Sequence, residues 1–283
     1  MSVDLLVSTA WLAKNLGKPG VKVLDCSWYL PTEKRDPHAE HRASHIAGSV
    51  YFDIDTIADT ADPLPHMFPD NDTFATKVGS LGVSNGDHVI CYDGGKATAA
   101  CRAWYMFKVF GHAKVSVLDG GFTRWTTEDR PVEDGINTPE PATYEASKAA
   151  GLVRARDDIL AIIEAGGSEQ ILDARAHGRF TGEQPEPRAG MRSGHMPGAL
   201  NLPYTDLLDS DGKFRPKAEL EKAFKDAGVD LGKPVVTSCG SGVSAAVLLM
   251  GLNLIGHDNG TLYDGSWSEW GGREDTPIVT GEG

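Results

Sequence analysis

Short apolar runs of strand length alternate along this chain with longer segments whose apolar positions recur every three to four residues. The strand-like runs are residues 21–26, 88–92, 115–118, 170–173 and 234–238; the helix-period segments are 97–110, 156–165, 217–227 and 244–254. An apolar run without polar alternation suits a strand buried on both faces, and strands that alternate with helices are joined by crossovers into parallel sheets. The pattern predicts an α/β fold in which each parallel sheet carries helices on both faces. Ligands of such sheets bind beyond the carboxyl ends of the strands, where loops enter helices. That rule directs attention to the segment after Ser238.

The pattern also occurs twice, at an offset of roughly half the chain. Val23-Leu-Asp25 matches Ile171-Leu-Asp173, His45-Ile-Ala-Gly48 matches His195-Met-Pro-Gly198, and Val89-Ile-Cys-Tyr-Asp93 matches Val235-Val-Thr-Ser-Cys239. Asp119-Gly-Gly-Phe with Trp125 then matches Asp264-Gly-Ser-Trp with Trp270. Four landmarks in one order imply two copies of one fold, since the repeat is too long for a solenoid unit. The Pro-rich polar stretch after Arg130 reads as the connection. The expected division is residues 1–130, a linker at 131–148, and 149–283. Both copies carry His45 and His195 at one point of the pattern, which suggests a shared structural task at a turn. The tryptophans Trp125, Trp267 and Trp270 suit packing under each sheet.

Composition narrows the class. With 283 residues, 40% of them apolar, the chain can fill two ordinary cores. Forty acidic against 27 basic residues leave a formal charge of -13, with no basic cluster, so nucleic acid is not an expected partner. No apolar run is long enough to span a membrane, and the first residues do not resemble a signal peptide. Four scattered cysteines, Cys26, Cys91, Cys101 and Cys239, form neither a disulfide framework nor a CxxC pair, which fits a reducing cytoplasm. Cys91 and Cys101 sit in apolar surroundings as core residues. Cys26, at a strand end, is a candidate redox-sensitive thiol.

Cys239 is placed differently. In Cys239-Gly-Ser-Gly-Val-Ser-Ala245 a strand ends, small residues follow and a helix opens, so successive backbone N–H groups can converge on the sulfur or an anion attached to it. A helix N-terminus lowers a thiol pKa from about 8.5, and the thiolate is the attacking species. The alternative is a structural cysteine whose glycines only provide a tight turn. The first copy keeps the loop as Asp93-Gly-Gly-Lys-Ala-Thr-Ala99, with Asp93 in place of the cysteine. That substitution fits a pair in which one copy alone is reactive.

These residues carry a resemblance over nearly all of the chain: it is similar to the tandem-domain rhodanese family of sulfurtransferases. His45-Ile-Ala-Gly48, Gly194-His-Met-Pro-Gly-Ala199 and Asp173-Ala-Arg175 resemble family elements, and the loop Cys-Gly-Ser-Gly-Val resembles that of the family's 3-mercaptopyruvate sulfurtransferases. Thiosulfate-specific members carry basic residues in this loop to balance a dianion, whereas Gly240 and Ser241 are neutral. Ser244 stands where many members have Thr. The resemblance implies two rhodanese-like domains, the first non-catalytic, and a site in the second formed by Cys239, Gly240, Ser241, Gly242, Val243 and Ser244.

Further roles follow from the resemblance alone. Arg179 and Arg188 would hold the carboxylate and keto group of the substrate, for which the planar guanidinium fork is suited. Read only from their surroundings, they are surface arginines paired with Glu183 and Glu186. Asp55, His66 and Ser241 would form a chain for handling a proton, the histidine acting near neutral pH and the carboxylate fixing its tautomer; both copies would then contribute to one site. The implied reaction passes a sulfur from 3-mercaptopyruvate to Cys239 as a persulfide, releases pyruvate, and hands the sulfur to a thiol acceptor such as thioredoxin, or to cyanide, with no cofactor or metal. The alternatives are a thiosulfate:cyanide sulfurtransferase and a non-enzymatic sulfur carrier or interaction module. A C-x5-R phosphatase is excluded because Ala245 stands where the arginine is required.

Overall fold

The computed structural model describes residues 3–282. They form two compact units. One takes the residues up to Thr60, Phe68–Ala149 and Asp209–Phe214; the other takes Ala61–Met67, Ala150–Leu208 and the residues from Arg215 onward. His66, read above as part of the first copy, therefore belongs with the second unit.

In chain order the first unit has strands β1 (Leu6–Val7), β2 (Val21–Asp25), β3 (His45–Ile46), β4 (Val50–Tyr51), β5 (His88–Tyr92), β6 (Val115–Leu118) and β7 (Val132–Glu133). Its helices are α1 (Thr9–Asn15), α2 (Pro37–Ala43), α3 (Asn71–Ser80), α4 (Thr98–Val109) and α5 (Gly121–Thr127). Among the described residues five strands pair in parallel in the order β1-β6-β5-β2-β4, while β3 and β7 form a separate antiparallel pair. One face of the sheet buries Val23, Ile90, Tyr92 and Leu118 against Leu12 of α1 and Trp125 of α5. On the alternate positions Leu24, Cys91 and Val117 are equally buried, and α4 packs against β5 and β6. Burial on both faces is why these strands read as unbroken apolar runs.

The second unit repeats the design with β8 (Val153–Arg154), β9 (Gln170–Asp173), β10 (Leu200–Asn201), β11 (Val235–Ser238) and β12 (Gly260–Tyr263). Its helices are α6 (Arg156–Ala165), α7 (His177–Thr181), α8 (Lys217–Asp226), α9 (Ala245–Ile255) and α10 (Ser266–Trp270). Its parallel sheet runs β8-β12-β11-β9-β10, the same order with β11 in the place of β5. Ile159 and Ile162 of α6 and Trp267 and Trp270 of α10 share one core cluster with Ile171 and Val236. Helix α9 is apolar nearly all round and is buried from Ala245 through Leu252, as a central helix must be. Its counterpart α4 is buried from Ala99 through Phe107.

The repeated histidines perform one structural task. His45 is buried, donates from Nδ1 to the His41 carbonyl at 2.7 Å and pairs with Glu133 across the β3–β7 ladder. His195 is buried, donates from Nδ1 to the Phe180 carbonyl at 2.9 Å and bridges antiparallel to Val279. Each ring stacks on the helix residue whose carbonyl it bonds, at 4.1 Å for His41 and 3.7 Å for Phe180. Each clamps the segment that follows the last helix of its unit.

The Pro-rich stretch 131–148 runs along the first unit. Ala142 donates to the Gly79 carbonyl at 2.9 Å, so closely that a Cβ on Gly79 would lie 2.5 Å from the Ala142 oxygen. Tyr144 is buried among Phe74, Phe107 and His112. No helix of the described residues is long and apolar enough to cross a membrane.

Candidate active site

The loop after β11 is held from beneath by the start of α10. The Cys239 N–H donates to Ser266 Oγ at 3.2 Å, and Ser266 Oγ donates to the Tyr263 carbonyl at 2.9 Å. The Trp267 amide donates to the Cys239 carbonyl at 2.9 Å, and Ser268 donates to the Gly240 carbonyl from both its amide, at 2.8 Å, and its hydroxyl, at 2.7 Å. Ser266 has φ +46°, in the left-handed region that side chains with a Cβ seldom occupy. The cost is offset by its hydroxyl, which is buried between one donor and one acceptor. Such strain, held in place by its surroundings, is characteristic of functional loops.

The first unit shows the same frame with different contents. Phe122 N donates to Asp93 O at 2.8 Å, and Thr123 Oγ1 donates to Gly94 O at 2.7 Å. Gly121 stands in the place of Ser266, with φ +55°. Here four backbone amides converge on the first side chain of the loop. The Asp93 carboxylate accepts from Gly95 at 2.9 Å, Ala97 at 3.1 Å, Ala99 at 3.1 Å and Ala100 at 3.2 Å. Burial pushes the Asp93 carboxyl above its ordinary range, and these amides pull the other way. In this fold, then, the loop between the central strand and the central helix can gather N–H groups around one anion.

Around the second loop stand His66, Arg179 and Arg188. Cys239 is 1% exposed and Ser241 5%. His66, 5% exposed, lies with Nδ1 3.1 Å from Ser241 Oγ, and its own backbone is left-handed at φ +63°. Arg188 reaches Ser241 Oγ from Nη2 at 3.4 Å and Ser268 Oγ from Nη1 at 3.2 Å. Both guanidinium groups overhang the residue after the cysteine. A Cβ at Gly240 would lie 3.3 Å from Arg179 Nη2 and 3.8 Å from Arg188 Nη1, so a glycine there leaves the arginines room. Gly242 is left-handed at φ +74°, and Val243 and Ser244 lead into α9. Asp55 lies in the first unit, where its Oδ2 accepts from Trp28 Nε1 at 3.1 Å.

Three neighbours were not singled out as site residues in the sequence. Arg175, with no side-chain exposure, grips Asp173 through Nε and Nη2, donates to Glu186 at 2.8 Å and to the Gly194 carbonyl at 2.8 Å, and lies over the Trp267 ring at 4.1 Å. Glu186 in turn accepts from Arg179 Nε at 3.1 Å and Nη2 at 2.5 Å. Pairing with Glu186, the bland reading of Arg179, is therefore present, and the same side chain still reaches the loop. Ser266 is the third. The Asp-x-Arg spacing at the end of β9 was the signal available for Arg175, Glu186 was expected only as an ion-pair partner of the arginines, and nothing local marked Ser266.

Cys26, the candidate redox-sensitive thiol, has the placement of a core residue. It is fully buried, donates to the Leu24 carbonyl at 3.5 Å, and burial pushes its thiol well above the ordinary range. Cys91 and Cys101 are buried as core residues, and Trp125, Trp267 and Trp270 show no exposure.

The rhodanese-like domain family matches the chain twice, over residues 8–128 and 155–273. The chain belongs to the rhodanese family. Its two rhodanese-like domains align along nearly their whole length with curated relatives. The chain is 43% identical to a 3-mercaptopyruvate sulfurtransferase of Rattus norvegicus, over 98% of this chain and 95% of that protein. It is 40% identical to the thiosulfate/3-mercaptopyruvate sulfurtransferase 1, mitochondrial, of Arabidopsis thaliana, over 98% and 78%. The crystal structure of SseA from Escherichia coli, described as a 3-mercaptopyruvate sulfotransferase, superposes with a TM-score of 0.86 at 38% identity, covering 94% of this chain and 99% of that chain. The parallel sheets and flanking helices of both units are the rhodanese fold.

Proposed function

We propose that the protein is an enzyme that moves a sulfur atom from 3-mercaptopyruvate to a thiol or cyanide acceptor through a persulfide on Cys239, with release of pyruvate. The observation that carries this reading is the convergence of the Arg179 and Arg188 guanidinium groups over Gly240, next to the cysteine. Two such forks match the carboxylate and keto oxygen of a small 2-keto acid, and the relatives named for mercaptopyruvate support the same donor.

In the first step the Cys239 thiolate attacks the donor sulfur. The new S–S bond forms as the C–S bond breaks, and its electron pair passes to the methylene carbon to give the enolate of pyruvate. The arginines stabilise the charge that develops on the enolate oxygen. Ser241, bonded to His66 and Arg188, supplies the proton path. The loop amides cradle the outer sulfur; in the first unit Ala97, which matches Val243, donates such an amide to Asp93. In the second step a thiolate such as that of thioredoxin, or cyanide, attacks the outer sulfur and returns Cys239 as thiolate. The neutral residues Gly240 and Ser241 favour mercaptopyruvate over dianionic thiosulfate. Four buried, unpaired cysteines suit the reducing cytoplasm.

Cys239→Ser tests the assignment. It should abolish pyruvate release and the mass gain of one sulfur atom on incubation with donor, while the circular dichroism spectrum is unchanged. Substantial residual turnover, or a persulfide elsewhere on the chain, rejects Cys239 as nucleophile.

A further inference from the structure

We propose that Glu186 sets the donor charge this site accepts, by cancelling one of the positive charges presented to the loop; the inference rests on the reading of Arg179 and Arg188 as donor ligands given above. Glu186 has a side chain only 4% exposed and takes two arginines at once. Its Oε1 accepts from Arg175 Nη1 at 2.8 Å and Arg179 Nε at 3.1 Å, and its Oε2 accepts from Arg179 Nη2 at 2.5 Å. Arg175 is held in turn by Asp173 at 2.6 Å, with neither side chain more than 1% exposed. Asp173, Arg175, Glu186 and Arg179 thus form one chain of alternating sign in which two anions balance two cations.

The consequence is electrostatic as well as geometric. Arg179 arrives at the loop already bonded along one edge to a carboxylate, so it orients a ligand while adding little net charge. Without Glu186 the same two guanidinium groups would present one further positive charge to whatever lies over Gly240. A unit charge acts on a dianion with twice the energy it exerts on a monoanion at the same place, and the low exposure of the pair limits screening. Glu186 therefore disfavours thiosulfate, with two charges, relative to a keto acid with one. Neutral loop residues keep extra positive charge out of the site, and Glu186 removes some that is already there. It is a positioning and charge-setting residue that need not touch the donor.

The test uses the full chain bearing Cys239→Ser, with pyruvate and thiosulfate as calorimetric probes at low salt. Adding Glu186→Gln should shift the ratio of thiosulfate to pyruvate affinity toward thiosulfate by about tenfold, and the shift should shrink as salt is raised. Glu186→Ala, neutral by another route, should shift it in the same direction. Glu186→Asp, which alters the geometry and keeps the charge, should leave the ratio within about twofold even where both affinities fall. An equal change for both ligands in the neutral variants, or a shift in Glu186→Asp as large as in Glu186→Gln, overturns the proposal in favour of a purely structural role. Failure of the underlying reading is distinct: the parent then binds neither ligand, the Cys239 protein releases no pyruvate, and the proposal falls with it.

Discussion

Arg179 and Arg188 illustrate how much a side chain's neighbours decide its chemistry. In sequence both are arginines in a polar loop beside glutamates, and an ordinary surface ion pair is the expected fate. Arg188 instead bonds Ser241 and Ser268, so its fork faces the loop that carries Cys239. Arg188→Ala should raise the KM for mercaptopyruvate by about tenfold or more, the scale of one lost charge-assisted hydrogen bond. The rate at which Cys239 reacts with an uncharged alkylating agent should change far less. Equal losses in both measurements would mean that the loop itself is disrupted. Asp93 shows the converse case, in which neighbours fix the residue that stands in the place of Cys239 in the other copy. Its two oxygens accept four amides, and an asparagine would turn an NH2 group toward two of those donors. Asp93→Asn should cost about 1–3 kcal/mol in denaturant unfolding, because buried donors lose their acceptor. An unchanged midpoint would show that the amides find other partners.

Among the elements, those that hold the loop were the clearest in the sequence. Strands β5, β6 and β9 and helix α6 have the bounds expected from hydrophobic pattern, and β2, β11, α4, α8 and α9 differ at their ends by one residue. These segments are buried on both faces or along a wide stripe, so each carries its own periodicity. The two-residue strands β1, β3, β4, β7, β8 and β10 and the five-residue helices α7 and α10 carry too little pattern to be seen, since two residues cannot display a period. Yet α10 is what anchors the Cys239 backbone. Ser266 has the left-handed backbone that Gly121 has in the other copy, and only the folded loop shows why a serine is tolerated there: Cys239 N–H and the Tyr263 carbonyl satisfy its hydroxyl.

Across the whole molecule, buried and half-buried histidines tie stability to pH in both units. His88 and His112 in the first and His195 in the second are each pushed below the ordinary value of 6.5, chiefly by burial. A histidine with a depressed native pKa binds fewer protons folded than unfolded, so stability is full above about 6.5 and falls as the pH drops below it. The urea midpoint should therefore hold between pH 7.5 and about 6.5 and decline from there to pH 5.5. A flat profile over that window would show that these rings protonate without resistance in the native state. Asp93 and Asp119, both pushed up by burial, act with opposite sign, at the more acidic end where carboxyls titrate. Hydrophobic periodicity and the internal repeat, both properties of the linear chain, determined the α/β class, the duplication and the cysteine at a strand–helix junction, because burial leaves its imprint on neighbouring residues. The partners of that cysteine were decided by tertiary structure. His66 and Ser241 are 175 positions apart, Arg188 and Ser268 80 apart, and Glu186 meets Arg175 and Arg179 across a loop with no periodicity. Hydrogen bonds and charge pairs of that kind depend on distance in space, and only the folded backbone fixes it.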